Sequence, residues 1–230
     1  MSELSGKEEG VELVREGKLP LSVSYTLGEE IANSVTHGLG ALASIAGLVL
    51  LLLRAARGDN VWMWTSFIIY GTSLILLHLA STLYHALPYP RAKIVFRVID
   101  HGSIYILIAG TYTPFTLVSL HGSWGWGLFA TVWALALAGV VYKSFFLSRF
   151  PKMGATTYIL MGWLSVVAIP KLFASIGLDG LIWVATGGLV YMLGLIFFGW
   201  KKLPYNHAIW HLFVLGGGVC HYVAVYFFVS

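Results

Sequence analysis

The sequence predicts an all-α integral membrane protein, a bundle of seven transmembrane helices with its N-terminus in the cytoplasm and its C-terminus outside. Of the 230 residues, 58% are hydrophobic and only 10% are charged, and the mean hydropathy is +0.80. A soluble domain carries roughly 25% charged residues, so this composition excludes water as the main solvent of the chain. Seven of the ten acidic residues lie within the first thirty positions, which leaves a long remainder suited to lipid.

The helices are marked by apolar stretches of spanning length, separated by charged residues, proline or glycine. A spanning helix needs about 20 mostly apolar residues. By this measure we expect spans over residues 29–54, 61–87, 94–119, 124–145, 154–176, 180–200 and 207–229. The expected organisation is a polar cytoplasmic leader, 1–28, followed by a transmembrane domain, 29–230.

The basic residues indicate the orientation of the bundle. Eleven of them lie in the leader and in every second connection, against three on the other side, so the positive-inside rule places the leader in the cytoplasm. They are dispersed singly between apolar runs, which argues against a nucleic-acid partner. The cytoplasmic set is Lys7, Arg15, Lys18, Arg91, Lys93, Arg97, Lys143, Arg149, Lys152, Lys201 and Lys202, and the outer set is Arg54, Arg57 and Lys171.

Ionisable residues within spans are candidates for function, because they are costly to bury in a bilayer. Ser81 and His85 lie four residues apart at the cytoplasmic end of span 2, and His207 and His211 lie four apart at the start of span 7. Residues at this spacing share one helix face. Asp100 lies about two turns into span 3, at a similar depth. These side chains are therefore expected to meet in one layer beneath the cytoplasmic surface.

Span 1 contributes a further face to this layer, since Glu30, Asn33 and His37 follow one another at i, i+3 and i+7. A purely structural explanation is also available for two of them. Glu30 favours the helix N-terminus through the macrodipole, and His37 could hydrogen-bond to another helix.

The chemistry of this layer favours a metal site. Two histidines four residues apart on a helix and a third from a neighbouring helix suit Zn²⁺, and three protein ligands leave one position open for a water whose pKa can fall to about 7. Asp100 could then hold or deprotonate that water, and Ser81 could hydrogen-bond to Asp100 or to a substrate oxygen. The single cysteine, Cys220, excludes a cysteine-based zinc or redox motif.

Other histidines are not expected to bind this ion. His78 lies deeper on the face of His85, as a core or cavity-lining group. His101 is expected to face packing or a loop. His221 lies about 15 Å from His211 along the helix axis, too far to share a ligand position.

Three motifs, Glu30-x-x-Asn33-x-x-x-His37, Ser81-x-x-x-His85 with Asp100 downstream, and His207-x-x-x-His211, resemble those of the hemolysin III / progestin and adiponectin receptor family. The resemblance covers about residues 25–230. It implies seven helices with a cytoplasmic N-terminus, a zinc ion held by His85, His207 and His211 with a water toward Asp100, and a place in the bacterial inner membrane. The family is also similar to alkaline ceramidases, which implies metal-dependent attack on a lipid amide.

Three functional hypotheses remain open at this point. The first is a zinc hydrolase that acts on a lipid amide or ester reached from the inner leaflet and contributes to membrane lipid homeostasis. The second is a non-enzymatic regulator or receptor in which zinc is structural and lipid binding changes the bundle. The third is a pore-forming haemolysin, which fits worst because spans 4 to 6 carry no polar stripe across the bilayer.

Overall fold

The computed structural model describes residues 25–146 and 153–230, and within these ranges all regular secondary structure is helical, joined by short connections, without strands. The α-helices are α1 Leu27–Ala55, α2 Val61–Ala86, α3 Pro90–Pro114, α4 Ser123–Phe146, α5 Met153–Gly162, α6 Ile169–Gly199 and α7 Asn206–Phe228. A π-helical turn, Phe115–Ser119, extends α3, and a 3₁₀ turn, Trp163–Ala168, joins α5 to α6. The predicted all-α class is confirmed. Residues 1–24 of the predicted leader lie outside the described residues.

The first helices begin where local chemistry satisfies their free N–H groups. The Thr26 hydroxyl accepts a hydrogen bond from the Glu29 backbone, while the Glu29 carboxylate accepts one from the Thr26 backbone. This reciprocal capping box starts α1 two residues before the predicted span. The Asn60 side-chain oxygen caps α2 by accepting from the backbone N–H groups of Trp62 and Met63, without a reciprocal bond. Pro90 occupies the first turn of α3, where its missing N–H costs nothing.

Six helical stretches of the described part are long and apolar enough to cross a membrane, where seven spans were predicted. The difference lies in Gly154–Gly199, where α5, the 3₁₀ turn and α6 form one 46-residue stretch. The sequence predicts a break at residues 177–179 of this stretch. The backbone does leave helical geometry there, because Gly177 has φ 68° and ψ −176°. A positive φ is readily accessible only to glycine.

The helices that carry the site residues are direct neighbours. α1 packs along α2, α2 packs along α3, α6 packs along α7, and α1 also touches α7. Gly40 permits this approach, because a Cβ at that position would lie 2.6 Å from Leu215 of α7 and 2.9 Å from the His78 ring of α2. The interior of the bundle contains fully buried side chains such as Phe67 and Tyr70. Apolar side chains also cover much of the outer surface, as expected of helices that face lipid.

Candidate metal centre

Three histidines from two helices converge at one end of the bundle. His85 lies in the last turn of α2, and His207 and His211 lie in the first two turns of α7. One ring nitrogen of each lies within 4.8 Å of the other two. The ring centroids are 5.1 Å apart for His85 and His207, 5.4 Å for His85 and His211, and 4.4 Å for the pair on α7. The described residues contain no other group of three such side chains in metal-binding range.

Several nitrogens of this triad are buried without a hydrogen-bond partner among the described residues. These are Nε2 of His85 and both ring nitrogens of His207. Buried polar atoms are almost always paired, and leaving one unpaired costs about 1–3 kcal/mol. A metal ion would accept the lone pairs of these rings, and a set of neutral imidazoles suits zinc among the transition metals. The three side chains therefore fit a zinc ion.

Glu30 orients His85 from the start of α1. Its Oε2 lies 2.6 Å from Nδ1 of His85, which donates the hydrogen, and its Oε1 accepts from Nζ of Lys93 at 2.6 Å. Lys93 also donates to the carbonyl of Tyr84 at 3.1 Å. Because Nδ1 carries the proton, Nε2 keeps its lone pair, as in the carboxylate–histidine–zinc arrangement. Asn33 Nδ2 lies 3.4 Å from the same Nδ1.

His37 and His78 form a buried pair behind the triad. Their Nδ1 atoms lie 3.3 Å apart, across α1 and α2, and the His37 ring centroid lies 3.8 Å from that of His211. Thr36 Oγ1 lies 3.3 Å from Nδ1 of His211, so α1 contacts histidines of both α2 and α7. The side chains of the span 1 motif therefore lie against the triad.

Asp100 and Ser81 line the same cavity as His207 and His211. Asp100 is buried on α3, and its side chain interacts with that of Ser81, although the Ser81 hydroxyl makes no hydrogen bond of regular geometry to a described residue. His101 differs from the sequence-based expectation of a packing or loop-facing group. Its ring lines the cavity, where Nδ1 donates to the backbone carbonyl of Arg97 at 2.7 Å and lies 3.7 Å from Oδ2 of Asp100.

The cavity has a volume of about 940 Å³ and extends from the histidines into the bundle. Its deeper walls are mostly apolar, with Leu107 and Phe115 on one side and Leu172 and Val184 on the other. Pockets of about 300–1,000 Å³ with apolar walls and a few polar groups are typical of small-molecule sites. The polar end and the apolar interior together suit an amphiphile.

Three residues near the triad were not identified from the sequence. Lys93 was interpreted only as a topology signal, yet it neutralises Glu30. Thr36 was overlooked, although its place one residue before His37 puts it beside the same face. Tyr25 precedes α1, and its ring centroid lies 5.5 Å from that of His85 and 5.2 Å from that of His207. Burial raises the pKa of its hydroxyl well above the usual value, so it stays protonated.

Comparisons with known proteins show the family of the chain. The family described as Haemolysin-III related matches residues 25–222. The chain is 47% identical over 201 residues to Hemolysin-3 of Bacillus cereus, with 87% of this chain and 92% of that protein covered. It is 47% identical over 204 residues to the Hemolysin-3 homolog of Bacillus subtilis (strain 168), covering 89% and 96%. It is 29% identical over 207 residues to the human monocyte to macrophage differentiation factor, covering 87% and 84%.

Proposed function

The chain belongs to the haemolysin-III related family of integral membrane proteins, and we propose that it is a zinc hydrolase that cleaves a lipid amide or ester. Such an activity would contribute to membrane lipid homeostasis. The observation that carries the proposal is the triad of His85, His207 and His211, with buried, unpaired ring nitrogens, at the end of an apolar cavity that Asp100 also lines. A purely structural zinc is usually ligated by four protein groups, whereas three leave a position for substrate or water.

Each neighbouring residue has a role in this proposal. When bound, zinc would supply a water of lowered pKa and polarise a carbonyl oxygen. Asp100 accepts the proton from the attacking water as general base and returns it to the leaving amine or alcohol as the C–N or C–O bond breaks. Ser81 orients Asp100 or hydrogen-bonds to the developing oxyanion. Glu30 holds His85 in the tautomer with the proton on Nδ1, so that Nε2 keeps its lone pair for a metal ion shared with His207 and His211. The apolar walls bind the acyl chain of a lipid that enters from the inner leaflet.

The test is fatty-acid release by zinc-loaded protein in nanodiscs, offered ceramide, acyl-ester and phospholipid substrates. Asp100→Asn preserves the shape of the side chain but removes the base, so turnover should fall by about 10²–10⁴-fold while zinc content stays unchanged. Asp179→Asn, on an exposed residue, serves as the control and should keep parental turnover. If the zinc-loaded parent releases no fatty acid from any of these classes, the hydrolase proposal is wrong.

The second candidate is a non-enzymatic regulator or receptor with a structural zinc. The observation that favours it is that the triad joins α2 to α7, so that one ion would clamp the second helix to the last. In this case Asp100→Asn would leave a cellular membrane phenotype intact as long as zinc remained bound. The two candidates therefore differ in the effect of one substitution at constant zinc content.

We also propose that Gly154–Gly199 crosses the bilayer twice, which makes seven crossings in all. A continuous helix of 46 residues would be about 69 Å long, against a hydrocarbon core of about 30 Å. The non-helical backbone of Gly177 lies near the middle of the stretch, next to the charged Asp179. The eleven-to-three division of basic residues supports a cytoplasmic N-terminus in a bacterial inner membrane.

Thiol labelling in intact cells tests both the number of membrane crossings and the orientation of the bundle in the membrane. In a Cys220→Ser background, a single cysteine at Asp179 should react with an impermeant thiol reagent, whereas one at Lys202 should react only after the cells are permeabilised. A single crossing would bury position 179 in lipid and protect it under both conditions. Labelling at position 202 in intact cells would contradict the orientation, and with it a triad on the cytoplasmic side.

A further inference from the structure

Lys143 is a buried cation that the proposed hydrolysis does not use. Its residue is only 3% exposed, at the cytoplasmic end of α4 in the proposed orientation, and it lines the large cavity. Its ammonium nitrogen lies 5.4 Å from the ring centre of Tyr158 and 5.9 Å from that of Tyr142. The ion pairs found among the described residues include none at Lys143. Burying a charge without a counter-ion costs free energy, and an anion bound beside Lys143 would reduce that cost.

Arg97 brings a second cation to the same part of the cavity. It lies on α3, lines the cavity, and its charge interacts unfavourably with that of Lys143. No carboxylate of the described residues pairs with Arg97 either. The sequence between α4 and α5, residues 147–152, contains no acidic side chain that could compensate them. Two cations on adjacent helices therefore line a common cavity, and neither forms an ion pair with a carboxylate of the described residues, although Asp100 lines the same cavity.

Gly154, in the first turn of α5, leaves the space that the Lys143 ammonium occupies. A Cβ at this position would collide with Nζ of Lys143 and would lie 3.0 Å from its Cε. The absence of a side chain at residue 154 thus allows the ammonium to sit between α4 and α5. This close fit distinguishes Lys143 from the lysines that extend freely to the surface, such as Lys202.

We propose that Lys143 and Arg97 bind the anionic headgroup, a phosphate or a carboxylate, of an amphiphile whose acyl chain lies in the cavity. Arginine matches such anions with a planar fork of donors, and lysine adds a compact charge. The apolar walls beyond the two cations account for the acyl chain. The inference deepens the proposed hydrolase function, on which it rests for the identity of the occupant, because it names the substrate class as an acyl lipid with an anionic headgroup.

The experiment measures equilibrium binding of radiolabelled dodecyl phosphate to the full-length protein in phosphatidylcholine nanodiscs, with empty nanodiscs as background. Dodecanoate, uncharged dodecanol and inorganic phosphate are compared as competitors. Lys143→Met should weaken dodecyl phosphate binding by about 10- to 100-fold, the usual effect of a lost charge-assisted hydrogen bond. Lys202→Met, at the same end of the bundle but outside the cavity lining, should bind as the parent does.

A second variant separates the position of the ammonium from its charge. Gly154→Ala keeps every charge but displaces the Lys143 terminus, and it should weaken binding by about tenfold or more. An unchanged thermal unfolding temperature and elution volume show that either variant is folded. If dodecanol competes as well as dodecyl phosphate, or if folded Lys143→Met binds like the parent, the proposal is wrong. Competition by inorganic phosphate as strong as that by dodecyl phosphate would overturn the assignment of the acyl chain to the cavity.

Binding and hydrolysis fail independently in this design, because the binding assay requires no turnover. Binding of dodecyl phosphate that depends on Lys143, without fatty-acid release from any lipid, would keep the headgroup site and reject the hydrolase. Fatty-acid release by the parent, combined with unchanged dodecyl phosphate binding in Lys143→Met, would keep the hydrolase and reject the headgroup site.

Discussion

Glu30→Gln tests whether the carboxylate on α1 supports the proposed zinc site through its hydrogen bond to His85. In the parent protein, Glu30 accepts a charge-assisted hydrogen bond from Nδ1 of His85 at 2.6 Å. The single oxygen of the glutamine amide can still accept that hydrogen, but only as a neutral partner, and the NH2 group then faces the Lys93 ammonium, whose ion pair is lost. The substitution therefore changes the strength of the interaction, and hence the basicity of Nε2, while largely preserving the shape of the site.

The expected magnitude follows from this single contact. A hydrogen bond to a charged group contributes about 1.5–3 kcal/mol and a neutral one about 0.5–1.5 kcal/mol, so the loss is about 1–1.5 kcal/mol. At 1.4 kcal/mol per factor of ten, the zinc Kd should rise by about tenfold. This value lies at the lower end of the 10- to 100-fold range for groups that orient metal-binding histidines.

The assay is competition for zinc between the purified protein and a chelator of known affinity, at constant pH. Glu29→Gln is the matched control, because the Glu29 carboxylate caps α1 at Thr26 and accepts from the Tyr205 backbone, and has no contact with the triad. Its zinc Kd should equal that of the parent. A zinc Kd for Glu30→Gln within twofold of the parent would refute the argument that Glu30 sets the basicity of His85.

Two further outcomes follow from the structure. The parent is expected to bind about one zinc per chain. His207→Ala should lose this zinc, together with the thermal stabilisation that native-state binding would provide, whereas His221→Ala should retain both. Elemental analysis and thermal unfolding measure this, and equal zinc content in the two variants would contradict the triad. Arg54→Met should lower stability by about 1–3 kcal/mol, because the guanidinium donates to the carbonyl of Val225 in the last turn of α7 at 3.0 Å and to that of Val229, just after the helix, at 2.7 Å. Arg57→Met, on an exposed neighbour, should not change the unfolding temperature.

The relation between sequence and structure differs among the parts of the bundle. Hydropathy predicted the positions of α1 to α4 and α7 to within a few residues, because a bilayer demands long apolar helices whatever their partners are. For Gly154–Gly199 the sequence predicts two spans, whereas the structure has one helical stretch whose backbone leaves helical geometry at Gly177.

In the candidate site, too, some contacts follow from spacing along one helix and others depend on how the helices pack. The i, i+4 spacings placed His207 with His211, and helix depth placed His85 near them, because helical rise is regular. The assignment of Glu30 to His85 could not follow from spacing, since it depends on how closely α1 approaches α2. His101 was assigned to packing or a loop because angular position on a helix does not define where a flexible side chain ends.

The sequence by itself determined that this chain is a helical membrane protein, which residues are polar within its spans, and at what depth they lie. These properties depend on composition and on the fixed geometry of a helix in a bilayer. Only the tertiary structure decided that Glu30 holds His85 and that Lys143 lies buried at the cavity beside Gly154. Such contacts join residues far apart in the chain, and they are set by how the packed helices rotate against one another, which no local pattern encodes.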